Sequence, residues 1–231
     1  MGRAIALGLA EAGACVVPWG RADNQGETAA ALAEGGRLLR TVEADLGDRD
    51  GAARACAELL AEHRIDILVN NAGIIRRSPA ADFPRQDWDD VLAVNLDAVF
   101  QLSQLLGRPM LERGSGKIIN IASVLSFQGG INVAAYTAAK HGVAGLTRAL
   151  ANEWAGRGVQ VNAIAPGYVR TDNTAQLLRD PVRFRAILDR IPAGRWGEPA
   201  DLAGAAVFLA SSASDYVNGH VLAVDGGWMS R

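Results

Sequence analysis

The sequence predicts an α/β fold, a Rossmann-like doubly wound parallel sheet with helices on both faces. Three observations point there. Short apolar, β-rich runs alternate with longer helical segments: Ile65-Asp66-Ile67-Leu68-Val69, Lys117-Ile118-Ile119-Asn120-Ile121-Ala122 and Val159-Gln160-Val161-Asn162-Ala163-Ile164-Ala165. That pattern indicates parallel strands joined by crossover helices. These runs lead into turn-forming residues, namely Asn70-Asn71-Ala72-Gly73, Ser123 and Pro166-Gly167, and ligands of such sheets bind at the carboxyl ends of the strands. Hydrophobic residues make up 49% of the 231, enough to cover a sheet on both faces. One domain over 1–231 is the expected organisation.

Taken in order, residues 2–13 read as a helix ended near Gly13. Ala14 to Trp19 read as a strand whose Pro18 confines its last part to an edge or exit position. Residues 23–36 form a helix closed by Gly35-Gly36, and a short strand at 38–43 leads to Asp45. Helix, strand and helix follow at 49–63, 65–69 and 86–113, then strand 117–122, helix 134–156 and strand 159–165. Residues 171–197 read as irregular with short helical pieces, a length suited to a lid over a site. Helix 199–210 and strand 220–225 complete the chain.

Tyr136 and Lys140 stand four residues apart, with Ser123 thirteen residues before the tyrosine and Asn95 upstream. On a helix, residues i and i+4 share a face, which sets the Lys140 ammonium beside the Tyr136 phenol. A free tyrosine, with a pKa of about 10, is a poor acid–base catalyst at neutral pH, and a neighbouring cation favours its phenolate. Ser123 can then hydrogen-bond a substrate oxygen while Tyr136 gives or takes its proton, the makings of an alcohol–carbonyl redox site. Arg76 and Arg77 follow the Asn-Asn-Ala-Gly turn, and guanidinium groups bind carboxylates bidentately. The residues therefore suggest a small, polar, anionic keto compound, with Gln128 and Asn173 placed to meet its hydroxyls. At the end of the second strand an acid would bind a ribose 2′-hydroxyl, whereas an Arg accommodates a 2′-phosphate. Gly20-Arg21 supplies the Arg and no acid.

Together, Asn70-Asn71-Ala72-Gly73, Asn95, Ser123, Tyr136, Lys140 and Pro166-Gly167 stand in the order and spacing of the short-chain dehydrogenase/reductases, which the chain resembles from Gly2 to Trp228. The stretches Asn71 to Arg77, Ser123 to Gly130 and Ile191 to Gly197 resemble the 2-deoxy-D-gluconate 3-dehydrogenase group, also described as 2-dehydro-3-deoxy-D-gluconate 5-dehydrogenase. Gluconate 5-dehydrogenases are its neighbours. The resemblance implies an NAD(P)-dependent oxidoreductase interconverting a secondary alcohol and a ketone on a sugar acid, and a homo-oligomer, dimer or tetramer. It gives Tyr136 the acid–base role, Lys140 a pKa-lowering and ribose-binding role, Ser123 the substrate oxygen, and Asn95 a relay water. For the cofactor it implies Gly2, Arg21, Asp45, Leu46, Asn71, Ala72 and Gly73 on the adenosine and phosphate side, with Pro166, Gly167, Val169 and Thr171 by the nicotinamide. The group resemblance points to NAD and Arg21 to NADP, so both stay open. A 3-oxoacyl-carrier-protein reductase shares the scaffold, as does a cofactor-free binding or structural protein.

Met1-Gly2 matches only the last two positions of the family's Thr-Gly-x-x-x-Gly-x-Gly turn, and the strand before that turn is not in this chain. The expectation is a phosphate site short of amide donors and no bound dinucleotide. Strands 14–19 and 65–69 should then either stand about 9.6 Å apart across a gap or rearrange into contact.

The net charge is −2 with mixed signs, so no basic field invites nucleic acid. His63, His141 and His220 are scattered, so no metal site is expected. Cys15 and Cys56 are expected to be buried, inert thiols. Glu11 interrupts the apolar stretch at the start, and the sixth residue is Ala6 rather than Ser or Thr, so targeting, lipidation and membrane contact are not expected. A cytoplasmic location follows from that reading.

Overall fold

The computed structural model describes residues 1–21 and 25–231. Its elements run α1 (Gly2–Glu11), β1 (Trp19–Gly20), α2 (Gly26–Glu34), β2 (Val42–Glu43), α3 (Arg49–Glu62), β3 (Ile67–Asn70), α4 (Arg85–Leu92), α5 (Ala98–Arg113) and β4 (Gly116–Ile121). After these come α6 (Ala134–Trp154), β5 (Val159–Pro166), α7 (Ala175–Arg179), α8 (Pro181–Leu188), α9 (Ala203–Ala210) and β6 (Val221–Val224). The helix expected from residue 23 is described from Gly26 onward, and its first expected residues lie outside the described ones.

Four strands pair in parallel in the order β3-β4-β5-β6. Side chains alternate across these strands, because successive Cβ atoms point to opposite faces. Ile118 joins the core under α3, α5 and α6 with Cys56, Leu106, Met110, Leu150 and Val161. Its neighbour Ile119 joins the opposite core, under α1 and α9, with Ile5, Leu9, Ile164 and Leu209. Helices therefore cover both faces, as the apolar runs predicted.

Buried amides stitch the middle of this sheet. Asn70 and Asn120 are register partners on β3 and β4, and Asn70 Nδ2 donates to Asn120 Oδ1 at 2.9 Å and to Ser103 Oγ on α5 at 3.1 Å. Asn120 Nδ2 donates in turn to Thr147 Oγ1 on α6 at 2.9 Å. Helix α6, which carries Tyr136 and Lys140, is thus tied to the sheet by a buried chain of side-chain hydrogen bonds as well as by packing.

Three expectations are corrected. The strand expected at 14–19 survives as a single bridge, Val16 to Leu38, and the two residues of β1. Pro18 offers a carbonyl, used by Val42 N at 2.9 Å, but no N–H to continue a ladder. Cys15 is exposed, although Cys56 is buried as expected, and burial raises the Cys56 thiol to about 11. The long helix expected at 86–113 is broken into α4 and α5 by a π-helical turn at Ala93–Asp97.

The sheet is divided. β1 pairs with β2 alone, and β3 has β4 as its one partner among the described residues. Of the two arrangements expected for 14–19 and 65–69, the rearranged pairing does not form. No described helix is long and apolar enough to cross a membrane. Among the described residues no group of three or more His, Cys, Asp and Glu could hold a metal ion.

Candidate active site

Ser123, Tyr136 and Lys140 converge where β4 ends against the first turns of α6. Ala135 and Ala139, both fully buried, pack on Val91 of α4. Their small side chains let α6 lie close and turn the 136/140 face toward β4. Ser123 leaves the strand with extended backbone and opens a short 3-10 turn, Val124–Ser126. Its Oγ accepts a hydrogen bond from Leu125 N at 3.1 Å. That occupies a lone pair and leaves the hydroxyl proton free to be donated.

Lys140 is 3% exposed, and its Nζ donates to the Ile121 carbonyl at 2.6 Å. The ammonium lies 5.6 Å from the centroid of the Tyr136 ring. Burial lowers the Lys140 pKa to about 8. Burial also raises that of Tyr136, against the opposing pull of the Ser123 hydrogen bond and the Arg77 charge. Lys140 is desolvated and engaged with main chain beside the Tyr136 ring, and the Arg77 charge also bears on the phenol.

Arg76 and Arg77, adjacent in sequence, part company. Arg77 Nη2 donates to the Asn173 carbonyl at 2.8 Å, joining the segment after β3 to the one before α7. Arg76 instead points to α4, with Nε 3.5 Å from an Asp87 carboxylate oxygen. Gln128 is half-buried on the segment after the Ser123 turn.

Asn95 is 0% exposed within the π turn. Its Oδ1 accepts from Ile74 N at 2.9 Å and its Nδ2 donates to Ile74 O at 2.7 Å. Gly73 leaves room for this contact, since a Cβ there would stand 2.8 Å from Asn95 Oδ1 and 3.9 Å from Lys140 Nζ.

Several of the residues expected to hold a cofactor follow strand ends: Arg21 after β1, Asp45 after β2, Asn71 after β3 and Gly167 after β5. Gly2 begins α1, where a Cβ would meet Asn71 Nδ2 at 2.6 Å, and Asn71 Oδ1 is buried without a partner. Arg21 is exposed at the end of β1. Asp45 Oδ1 accepts from Gly47 N at 2.8 Å, while Leu46 packs against the core beneath α3 and α5. Pro166 ends β5, Gly167 N donates to Val224 O at 3.0 Å, and Val169 bridges to Gly197. Thr171 caps a short turn through reciprocal bonds with Thr174.

Two residues of this neighbourhood carried little signal in the sequence. Ser126 shows only as the second serine of Ser-x-x-Ser, a capping-box spacing, and the structure forms that box. Gln25, buried beside β1 and β2, donates from Nε2 to Val42 O at 2.8 Å and also to Gly20 O.

A sequence profile described as Enoyl-(Acyl carrier protein) reductase matches residues 1–229. The 2-dehydro-3-deoxy-D-gluconate 5-dehydrogenase of Bacillus subtilis (strain 168) is 56% identical over 100% of this chain and 91% of its own length. The chain belongs to the short-chain dehydrogenase/reductase family. A structure from Beutenbergia cavernae described as an NAD(P) dependent gluconate 5-dehydrogenase, with NADP bound at low occupancy, is 60% identical, with a TM-score of 0.97 over 100% of this chain and 92% of its own. The Burkholderia cenocepacia gluconate 5-dehydrogenase, solved in complex with NADP and tartrate, is 43% identical, with a TM-score of 0.95 over 100% and 91% of the two chains. As a member of this family, the chain is an NAD(P)-dependent oxidoreductase acting on CH–OH groups.

Proposed function

We propose that this chain is a sugar-acid dehydrogenase that interconverts a secondary alcohol and a ketone on 2-dehydro-3-deoxy-D-gluconate or a close relative such as gluconate. The observation that carries this reading is Arg77. Its guanidinium acts electrostatically on Tyr136, so a cation lies within reach of the phenol that handles the proton. A sugar acid brings a carboxylate for that cation. The names of the Bacillus subtilis and Burkholderia cenocepacia relatives support the substrate class.

Contrary to the expectation of no bound dinucleotide, the residues present fit a nicotinamide dinucleotide, and the Beutenbergia cavernae and Burkholderia cenocepacia relatives hold NADP. Asn71 keeps a buried, partnerless carbonyl oxygen, Gly73 bares its backbone near Lys140, and Gly2 opens a helix whose first amides suit a phosphate. Asn71, Ala72, Gly73 and Lys140 are the residues proposed to hold the ribose side. Pro166, Gly167, Val169 and Thr171 take the nicotinamide end, and Arg21, Asp45 and Leu46 the adenosine end, with NADP favoured by Arg21. When bound, the nicotinamide accepts hydride in alcohol oxidation and returns it in ketone reduction.

The chain's own groups manage the proton. Ser123, its lone pair engaged by Leu125 N, donates to the substrate oxygen and orients it. Tyr136 takes the hydroxyl proton in oxidation and gives it back in reduction. Lys140 holds β4 to α6 through the Ile121 carbonyl and offers remaining N–H groups to a ribose. Asn95, with one N–H and one lone pair beyond its Ile74 contacts, is the proposed holder of a relay water. Residues 171–197, fastened by Arg77 to Asn173, form the proposed lid. A homo-oligomer and a cytoplasmic location belong to the same reading.

The test is turnover by the purified protein, followed by nicotinamide absorbance, with 2-dehydro-3-deoxy-D-gluconate, gluconate and a 3-oxoacyl thioester, each with NAD and NADP. Preference for a sugar acid is expected. Turnover of the thioester alone would replace this reading with an acyl-carrier reductase.

A further inference from the structure

Ser126 is buried, 6% exposed, and its hydroxyl does two things at once. Oγ accepts from Ser123 N at 3.3 Å and donates to the Lys140 carbonyl at 2.6 Å. Lys140 is therefore gripped at both ends by one short segment, with its side chain on Ile121 O and its carbonyl under Ser126. The result is a closed ring running from Ile121 through Ser123 and Ser126 to Lys140 and back. Among small side chains, a hydroxyl alone both accepts and donates in so little space. Alanine at 126 would strand the buried Ser123 N–H and cut the ring between the strand end and the helix.

We propose that Ser126 is a positioning residue for proton transfer, its hydroxyl locking the Ser123 main chain to the Lys140 carbonyl and so fixing Ser123 Oγ against Tyr136. The proposal rests on the reading of Ser123 and Tyr136 as the reacting pair. A displacement of about 1 Å in such a pair costs up to about a hundredfold in rate. The groups that face the Tyr136 phenol are Ser123 from the strand end, Arg77 from the segment after β3 and Lys140 from its own helix. Ser126 reaches it only through Ser123.

The experiment is a double-mutant cycle of Ser126→Ala and Ser123→Ala with two readouts. One is kcat. The other needs no substrate: the ultraviolet titration of the Tyr136 phenol, obtained as the difference from Tyr136→Phe. Ser126→Ala is expected to lower kcat roughly ten- to hundredfold with dinucleotide Kd unchanged. It should also move the phenol titration to higher pH, because the Ser123 hydrogen bond that holds it down is loosened. In the Ser123→Ala background, Ser126→Ala should change neither readout further. Ser126→Thr, which keeps the hydroxyl, should retain the native titration midpoint. A melting temperature that falls while the midpoint stays put overturns the proposal. So does a full Ser126→Ala effect in the Ser123→Ala background. If no sugar acid is turned over at all, the proposed function fails, while the titration cycle still decides on Ser126.

Discussion

The two ends of this sheet are built to different standards. The end proposed to carry catalysis has four paired strands, a buried amide network from Asn70 through Asn120 to Thr147, and a ring of hydrogen bonds around Ser123 and Lys140. The end expected to meet adenosine has two strands of two residues each, joined across by Gln25. On the proposed assignment, preorganisation is concentrated where charge would move in the reaction, which is where it lowers a barrier. The adenosine end serves binding only, and binding that is equal in ground and transition states does not raise kcat. Cofactor choice and catalysis should therefore be separable by mutation.

The sharpest way to break this contrast is at the phenol. Tyr136→Phe should lower kcat by roughly 10²–10⁴-fold with dinucleotide affinity and melting temperature nearly unchanged. Retention of more than about a tenth of kcat would remove Tyr136 from acid–base catalysis. Arg77 comes next. Arg77→Ala should weaken KM for a sugar acid by about 1.5–3 kcal/mol, the cost of a charge-assisted hydrogen bond. Arg76→Ala, at an exposed ion pair with Asp87, should stay within about 0.5 kcal/mol. Equal effects would return both arginines to one role.

Stability tests the same contrast more gently. Asn120→Ala strands polar partners on β3 and α6, at about 1–3 kcal/mol each, and should lower the urea midpoint clearly. Gln25→Ala should lower it less, and a loss as large would mean the adenosine end is no looser than the other. The smallest effect is a pH slope. Lys140 titrates near 8 in the folded chain against 10.5 for its unperturbed value. Between those values the unfolded chain binds the extra proton, so stability relative to Lys140→Met should rise with pH across that window. It should flatten above it, with a slope of at most about 1.4 kcal/mol per pH unit. A difference that falls with pH would show Lys140 to be stabilised rather than penalised by its site.

Much of this was legible in the sequence, for reasons that differ by residue. The 136/140 spacing reads directly as one helical face, and Asn70, Ser123 and Pro166 mark strand ends through turn chemistry that is local. Family membership followed from their order. What local pattern does not encode is what tertiary packing decides. How strongly Lys140 and Arg77 each bear on the phenol depends on how deeply each cation is buried. Adjacent arginines diverge because residues next to one another in an extended segment face opposite ways, and only the fold supplies Asn173 for one and Asp87 for the other. Cys15 looked like a core residue in an apolar run, but it precedes the Val16 bridge and stands exposed. The Ser126 bridge spans strand and helix, so a single run of sequence shows only half of it.

Asn95 has a consequence of its own. By presenting both a carbonyl and an N–H to the two main-chain groups of Ile74, its side chain behaves as a borrowed peptide unit, standing in for the neighbour that a strand would have. The chain after β3 can therefore leave the sheet and still be held at Ile74, two residues before Arg76. The extra residue wound into the π turn is what brings this surrogate into line. Deleting Val94 would keep a good helix and swing the Asn95 amide about 100° away from α4, freeing the Ile74 main chain that precedes the arginines.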